Sequence, residues 1–207
     1  MERFGVTRIV DRHAWPEAPQ GAGHGEFPQR IARGIRLVVL DVDGVLTDGT
    51  VYIGQTAGGE DVELKRFDIQ DGLALKLLRA AGVEVALVSG RSSAATVRRA
   101  QELGIPCHQD DDANKLPVVN SIMERLGLEW TQVAMVGDDL PDLPVMSRVG
   151  FPVAVANAVP EVGRVALWST ERGGGRGAVR EFVRALLLAQ GDWDRVVAEY
   201  CAARTDG

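Results

Sequence analysis

The run LVVLDVDGVLTDG, residues 37–49, closes an apolar stretch with two carboxylates, Asp41 and Asp43, spaced two apart. A strand buried on both faces has no use for paired acids, so the pair asks for a chemical reason. Other apolar runs end in a similar way. "VALVSGR" delivers Ser89, Gly90 and Arg91, and "VAMVGDDLPD" delivers Asp138, Asp139 and Asp142. Alone, each is an ordinary cap or turn residue. Together, at successive strand ends, they crowd carboxylates that repel unless a cation lies among them. A hard divalent cation held by one or two carboxylates, with waters and phosphate oxygens as its other ligands, describes Mg²⁺. In that setting Asp41 can attack phosphorus while Asp43 delivers a proton to the leaving oxygen. Ser89 can donate to a phosphoryl oxygen. Lys115, at the start of "NKLPVV", can add an ammonium to the positive end of a helix. Phosphoryl transfer needs mainly positioning and charge neutralisation, and this set offers both.

The elements that must position these groups alternate from Leu37 onward. Apolar runs at 37–41, 83–90, 105–109, 133–139, 151–156 and 165–170 read as strands. Amphipathic runs read as helices at 71–82, stopped by Gly82, at 92–104, capped by Ser92 or Ser93, and at 114–127, with a closing helix at 177–190. Such alternation predicts an α/β fold: a mostly parallel central sheet with helices on both faces. Ligands of such sheets collect beyond the carboxyl ends of the strands, where strand order reverses. Between Thr47 and Asp71, two β-prone stretches around a Gly-rich turn predict a projecting hairpin. Residues 1–35 read as an irregular extension, rich in Gly and Pro, whose His13 and His24 are solvated loop histidines. Residues 36–191 read as the globular domain and 192–207 as a tail.

Composition narrows the function classes. A chain of 207 residues suits one domain, and a net charge of -6 without a basic run argues against nucleic acid or an anionic membrane as partner. Neither a signal-like apolar segment nor a membrane-length run occurs, so the expectation is a cytoplasmic protein. The two cysteines, Cys107 and Cys201, read as free thiols.

In order, "DVDGVLTDG", "VSGR", "NK" and "GDDLPD" resemble the four motifs of the haloacid-dehalogenase superfamily of phosphohydrolases. With "GDDLPDLPVM" and "GGRGAVRE", the stretch from Leu37 to Gln190 is similar to a narrower family, the 3-deoxy-D-manno-octulosonate 8-phosphate phosphatases and their sialic-acid-type relatives. The resemblance implies a Rossmann-like fold and an Mg²⁺-dependent phosphatase of a sugar acid phosphate. Asp41 would be nucleophile and metal ligand, and Asp43 general acid/base with its carbonyl on the metal. Asp138 would be the third metal ligand. Ser89, Gly90 and Lys115 would hold the phosphoryl group, and Asp142, with Asp139, would orient the metal site. Arg91 is a candidate for the substrate's own charge, or else a helix-surface salt bridge.

The spacing leaves no room for the cap domain that often selects substrate in this superfamily. The resemblance then implies a homotetramer in which the hairpin and C-terminal segment of neighbours cover each site, with Arg176 offered to a carboxylate or phosphate. "GGEDVELKRF" and "DGLAL" depart from the family's usual pattern, which leaves the exact sugar open. Two other readings stand beside this one: a phosphatase of another sugar phosphate in a specialised pathway, and a non-catalytic oligomerisation module. The second would show decay at Asp41, Asp43, Lys115 or Asp138, and all four are intact.

Overall fold

In the computed structural model, which describes residues 26–205, the run after Arg36 forms strand β1 (Leu37–Leu40), buried along its whole length. Its side chains alternate between two cores. Val38 and Leu40 enter one and Leu37 and Val39 the other, as the two-residue period of a strand covered on both faces requires. The further strands are β4 (Glu84–Ser89), β5 (Cys107–Gln109), β6 (Val133–Gly137), β7 (Phe151–Ala154) and β8 (Trp168–Ser169). They join β1 in a six-stranded sheet of order β5-β4-β1-β6-β7-β8. Each neighbouring pair is parallel. Strand order runs outward from β1 in both directions, so the carboxyl ends of β4, β1 and β6 lie side by side at the reversal.

Helices α2 (Ile69–Ala80) and α7 (Ala178–Gln190) cover one face through Leu75, Leu78, Phe182 and Leu186. Helices α4 (Lys115–Leu126) and α5 (Leu143–Met146) cover the other through Val119, Ile122 and Val145. Helix α3 (Ala94–Leu103) is capped by Ser93, whose hydroxyl accepts from the Thr96 amide, and ends at the left-handed Gly104. The hairpin is present as an antiparallel pair, β2 (Tyr52–Gln55) and β3 (Asp61–Leu64). A bridge between Thr47 and Phe67 pins its base.

Three stretches differ from the sequence reading. The run at 165–170 is a strand only at Trp168–Ser169, because Pro160 starts a helix, α6 (Pro160–Val165), that takes Val165. The helix at 177–190 is not the last. Past Gly191 the chain continues as α8 (Trp193–Ala202), with Val196 in the core and Trp193 stacked under the guanidinium of Arg180 at 4.7 Å. Within the segment read as an irregular extension, α1 (Gln29–Ala32) forms, Ala32 and Ile35 are fully buried, and Phe27 packs edge-on against Phe151 and Trp168. His13 and His24 lie outside the described residues. Among the described residues no helix is long and apolar enough to cross a membrane.

Candidate active site

The site begins where β1 stops. Asp41 stays in register, its amide donating to Val136 O of β6 at 3.1 Å, and the residue is 7% exposed. The chain then turns sharply through Val42–Thr47. Thr47, wholly buried, ties the turn together: its hydroxyl donates to Val42 O and accepts from the amides of Gly44 and Gly49. At Gly44, with φ +94°, an added Cβ would sit 2.0 Å from Asp138 Oδ2, so only glycine lets the turn lie against that carboxylate.

Asp138 arrives from the end of β6 and Asp142 from the short 3₁₀ turn Leu140–Asp142. One carboxylate oxygen from each of Asp41, Asp138 and Asp142 falls within 4.8 Å of the others. Lys115, first residue of α4 and 3% exposed, donates to Asp41 Oδ1 and Asp142 Oδ1, each at 2.6 Å. One ammonium thus faces three buried or half-buried acids. Burial, and then the Asp142 charge, push Asp41 up to about 6 against the pull of Lys115. Burial, and then Asp41 and Asp142, push Asp138 up to about 8. Burial opposes the charge of Lys115, but the two acids it bridges outweigh burial and raise it above its ordinary range. Asp138 Oδ1 is buried with no hydrogen-bond partner. An all-oxygen donor set with surplus negative charge and an orphaned oxygen fits a hard divalent cation.

The other residues named from sequence sit around this cluster in different ways. Asp142 accepts from the Asp138 amide at 2.9 Å and the Asp139 amide at 3.4 Å, holding the loop that carries Asp138. Asp139 itself is exposed and caps the 3₁₀ turn through the Leu140 amide. Ser89 ends β4, and its hydroxyl donates to Arg91 O at 3.0 Å and accepts from the Arg91 amide. Gly90 lies against Ala113, which has φ +55° and leads into Lys115. Arg91 pairs with Glu63 of the hairpin, while its Nη1 is buried and unpartnered.

Arg176 is exposed. The glycines before it are packed within the same chain: an added Cβ at Gly174 would meet Gly44 O at 1.8 Å, and the Gly175 amide donates to Val45 O. Asn157 clamps the contact, donating to Gly44 O at 2.9 Å and accepting from the Gly174 amide at 2.6 Å. The Gly-rich segment is thus a strap across the Val42–Thr47 turn.

Sequence reasoning missed Glu63, Lys65, Thr47 and Asn157. Glu63 and Lys65 carried a usable signal, since residues two apart on a strand share a face. Lys65 has no exposed side-chain surface and lies 2.8 and 2.9 Å from the two oxygens of Asp43. A cavity of about 1030 Å³, lined by Phe27, Arg36, Gln132 and Gly150, is at the opposite, amino ends of the strands. The carboxylate chemistry therefore governs the assignment of the site, and the cavity does not.

Comparison with known proteins agrees with this geometry. Residues 71–150 match the haloacid dehalogenase-like hydrolase family. The chain is 45% identical over 163 residues to the 3-deoxy-D-manno-octulosonate 8-phosphate phosphatase of Escherichia coli K12, covering 79% of this chain and 85% of that protein. A haloacid-dehalogenase superfamily (subfamily III A) hydrolase from Legionella pneumophila superposes with a TM-score of 0.78 at 41% identity, over 84% of this chain and 93% of that one. The 3-deoxy-D-manno-octulosonate 8-phosphate phosphatase of Moraxella catarrhalis, solved with magnesium, phosphate and its sugar acid, superposes with a TM-score of 0.76 at 38% identity, over 83% and 97% of the two chains. The acids gathered on β1 and β6 thus sit in a phosphatase fold, and the chain belongs to the haloacid dehalogenase-like hydrolases, in the branch of the 3-deoxy-D-manno-octulosonate 8-phosphate phosphatases.

Proposed function

We propose that the protein hydrolyses a phosphorylated 2-keto-3-deoxy sugar acid, 3-deoxy-D-manno-octulosonate 8-phosphate first among them, through an aspartyl-phosphate on Asp41 and with Mg²⁺ as cofactor. The observation that carries the reading is the close trio Asp41, Asp138 and Asp142, two of whose members are bridged by the Lys115 ammonium. The names of the relatives supply the substrate class.

Asp41, Asp138 and the Asp43 carbonyl would hold the metal, with Asp142 orienting them. When bound, Mg²⁺ supplies Lewis-acid neutralisation of the phosphoryl charge. An Asp41 oxygen bonds to phosphorus as the ester P–O bond breaks, and Asp43 gives its proton to the departing sugar oxygen. Asp43, now a carboxylate, takes a proton from water as that water attacks phosphorus, which frees Asp41 and inorganic phosphate. Two of the three Lys115 donors are engaged with Asp41 and Asp142, and the third remains for a phosphoryl oxygen. Ser89 joins it when its hydroxyl turns from Arg91 O. Arg91, with one nitrogen unpartnered, and the exposed Arg176 are suited to the substrate carboxylate.

Among the described residues no cap domain covers the site. The hairpin beside it presents Tyr52 (55% exposed), Ile53 (79%) and Leu64 (61%) to solvent, which supports a homotetramer in which neighbours cover each site. Its free cysteines suit the reducing cytoplasm. Phosphate release from a panel of sugar and sugar-acid phosphates, with Mg²⁺ or excess chelator, tests the reading. The expected result is the highest kcat/KM for the eight-carbon keto acid phosphate and none in chelator. A higher value for a neutral sugar phosphate would overturn the substrate class, and full activity in chelator the metal.

A further inference from the structure

The general acid/base of the proposed mechanism, Asp43, is held from an unexpected quarter. Asp43 does not join the carboxylate trio, which consists of Asp41, Asp138 and Asp142. Its side chain is turned instead to Lys65, just past β3, whose ammonium lies 2.8 Å from Oδ1 and 2.9 Å from Oδ2, with hydrogen-bond geometry to Oδ2. The same ammonium donates to Thr96 Oγ1 of α3 at 3.1 Å and stands 3.9 Å from Glu63. The Lys65 side chain is entirely buried and Thr96 has no exposed surface. Burying an ammonium is expensive unless its partners are fixed. Hairpin attachment does not require that expense. Glu63 already binds Arg91 and Ser93, Arg66 meets Asp48, and Thr47 bridges to Phe67.

Resting on the acid/base reading of Asp43, we infer that Lys65 is a positioning residue for that group: the hairpin reaches into the active site through Lys65 and fixes one orientation of the Asp43 carboxylate. Thr96 sets the ammonium in turn, from the helix that follows the phosphate-binding strand end. A proton donor held in a single rotamer acts at full efficiency on a poor leaving group. One free to rotate loses most of that advantage.

The test compares Lys65→Met, similar in length but uncharged, with Lys65→Arg and Thr96→Val in the full-length protein with Mg²⁺. With 3-deoxy-D-manno-octulosonate 8-phosphate, Lys65→Met is expected to lower kcat by ~10–100-fold, part of the ~100–10,000-fold that general acid–base catalysis contributes, and to change KM by less than about threefold. Single-turnover phosphoenzyme formation from an activated aryl phosphate should change by less than about threefold, since that leaving group needs little protonation. Lys65→Arg should restore part of the loss. Thr96→Val should show the same pattern more weakly, and it serves in place of Lys65→Met if that variant fails to fold.

The deciding measurement is the cycle with Asp43→Asn. Once Asp43 cannot transfer a proton, adding Lys65→Met should cost less than about threefold more. Additive losses, an equal loss on both substrates, or a change confined to KM would each overturn the positioning role. Asp43→Asn alone separates this from the underlying reading. If it slows both substrates equally, the acid role of Asp43 fails. If it discriminates and Lys65→Met does not, only the inference about Lys65 fails.

Discussion

At the scale of the residue, the governing fact is that Asp41 and Asp138 crowd Asp142 with, among the described residues, the one ammonium of Lys115 between two of the three. Both acids titrate above their ordinary value of 3.8, at about 6 and about 8, so without a cation the folded protein binds more protons than the unfolded chain in that range. The linkage sign follows. The stability that proton uptake confers is full below about pH 4 and is lost as pH rises through about 6 and then about 8. A divalent cation competes with those protons and restores the loss. Saturating Mg²⁺ is therefore expected to raise Tm by several degrees (~3–6 °C) at pH 8 and by less than half as much at pH 5.5. Thermal melts with Mg²⁺ or chelator across that range check it. An equal shift at both pH values would contradict the shared acidic site. The gathering of Asp41, Asp138 and Asp142 was legible because acids set together at strand ends have no joint structural use. Asn157 was not, because its role exists only once the strap folds back on the β1 turn; the spacing of Glu63 and Lys65 signalled a shared face, but not that Lys65 meets Asp43.

At the scale of the element, the strap before α7 is held from two sides. Asn157 and Gly44 grip its glycines. Asp71 of α2 accepts from the Gly177 amide at 3.3 Å and the Arg180 amide at 2.7 Å, capping α7 from a neighbouring helix. Asp71→Ala would leave both amides without their acceptor in a buried place, at a cost of about 1–3 kcal/mol. The expected outcome in denaturant melts is that loss, with kcat within about twofold of wild type because Asp71 touches none of the reacting groups. A neutral effect on stability would remove the cap from the account. Elements with continuous periodicity, such as α2, α4 and α7, were read correctly from sequence. Helices α6 and α8 were missed for definite reasons. Gly163 interrupts the first, and Gly191 mimics a final stop ahead of the second, whose one-sided contacts through Trp193, Val196, Val197 and Tyr200 follow helical spacing. The strap's glycines, read from sequence as suited to covering a neighbour's site, pack first against their own chain.

At the scale of the whole molecule, a site that no cap domain covers among the described residues and a hairpin with exposed Tyr52 and Ile53 are the grounds for proposing assembly. Light scattering on the purified protein is expected to give four chains. Ile53→Lys should shift the distribution toward smaller species and raise KM for the sugar acid phosphate by about tenfold, comparable to losing one charged contact of ~1.4 kcal/mol. If Arg176 serves a neighbour, mixing Arg176→Ala with Asp41→Asn under conditions of verified subunit exchange should recover activity that neither shows alone at low substrate. A fully active monomer, or no recovery after exchange, would mean that each chain completes its own site. An exposed apolar hairpin names no partner, so the expected tetramer rests on the resemblance and not on residue patterns alone.

The central claim is that Asp41 carries the phosphoryl group. Native protein, mixed with 3-deoxy-D-manno-octulosonate 8-phosphate and Mg²⁺, quenched during turnover and reduced with borohydride, tests it directly by peptide mass spectrometry. The account predicts homoserine in place of aspartate at position 41, present only when substrate and metal are both supplied, with turnover abolished in Asp41→Asn. Reduction at another carboxylate, or turnover that survives Asp41→Asn, would contradict it.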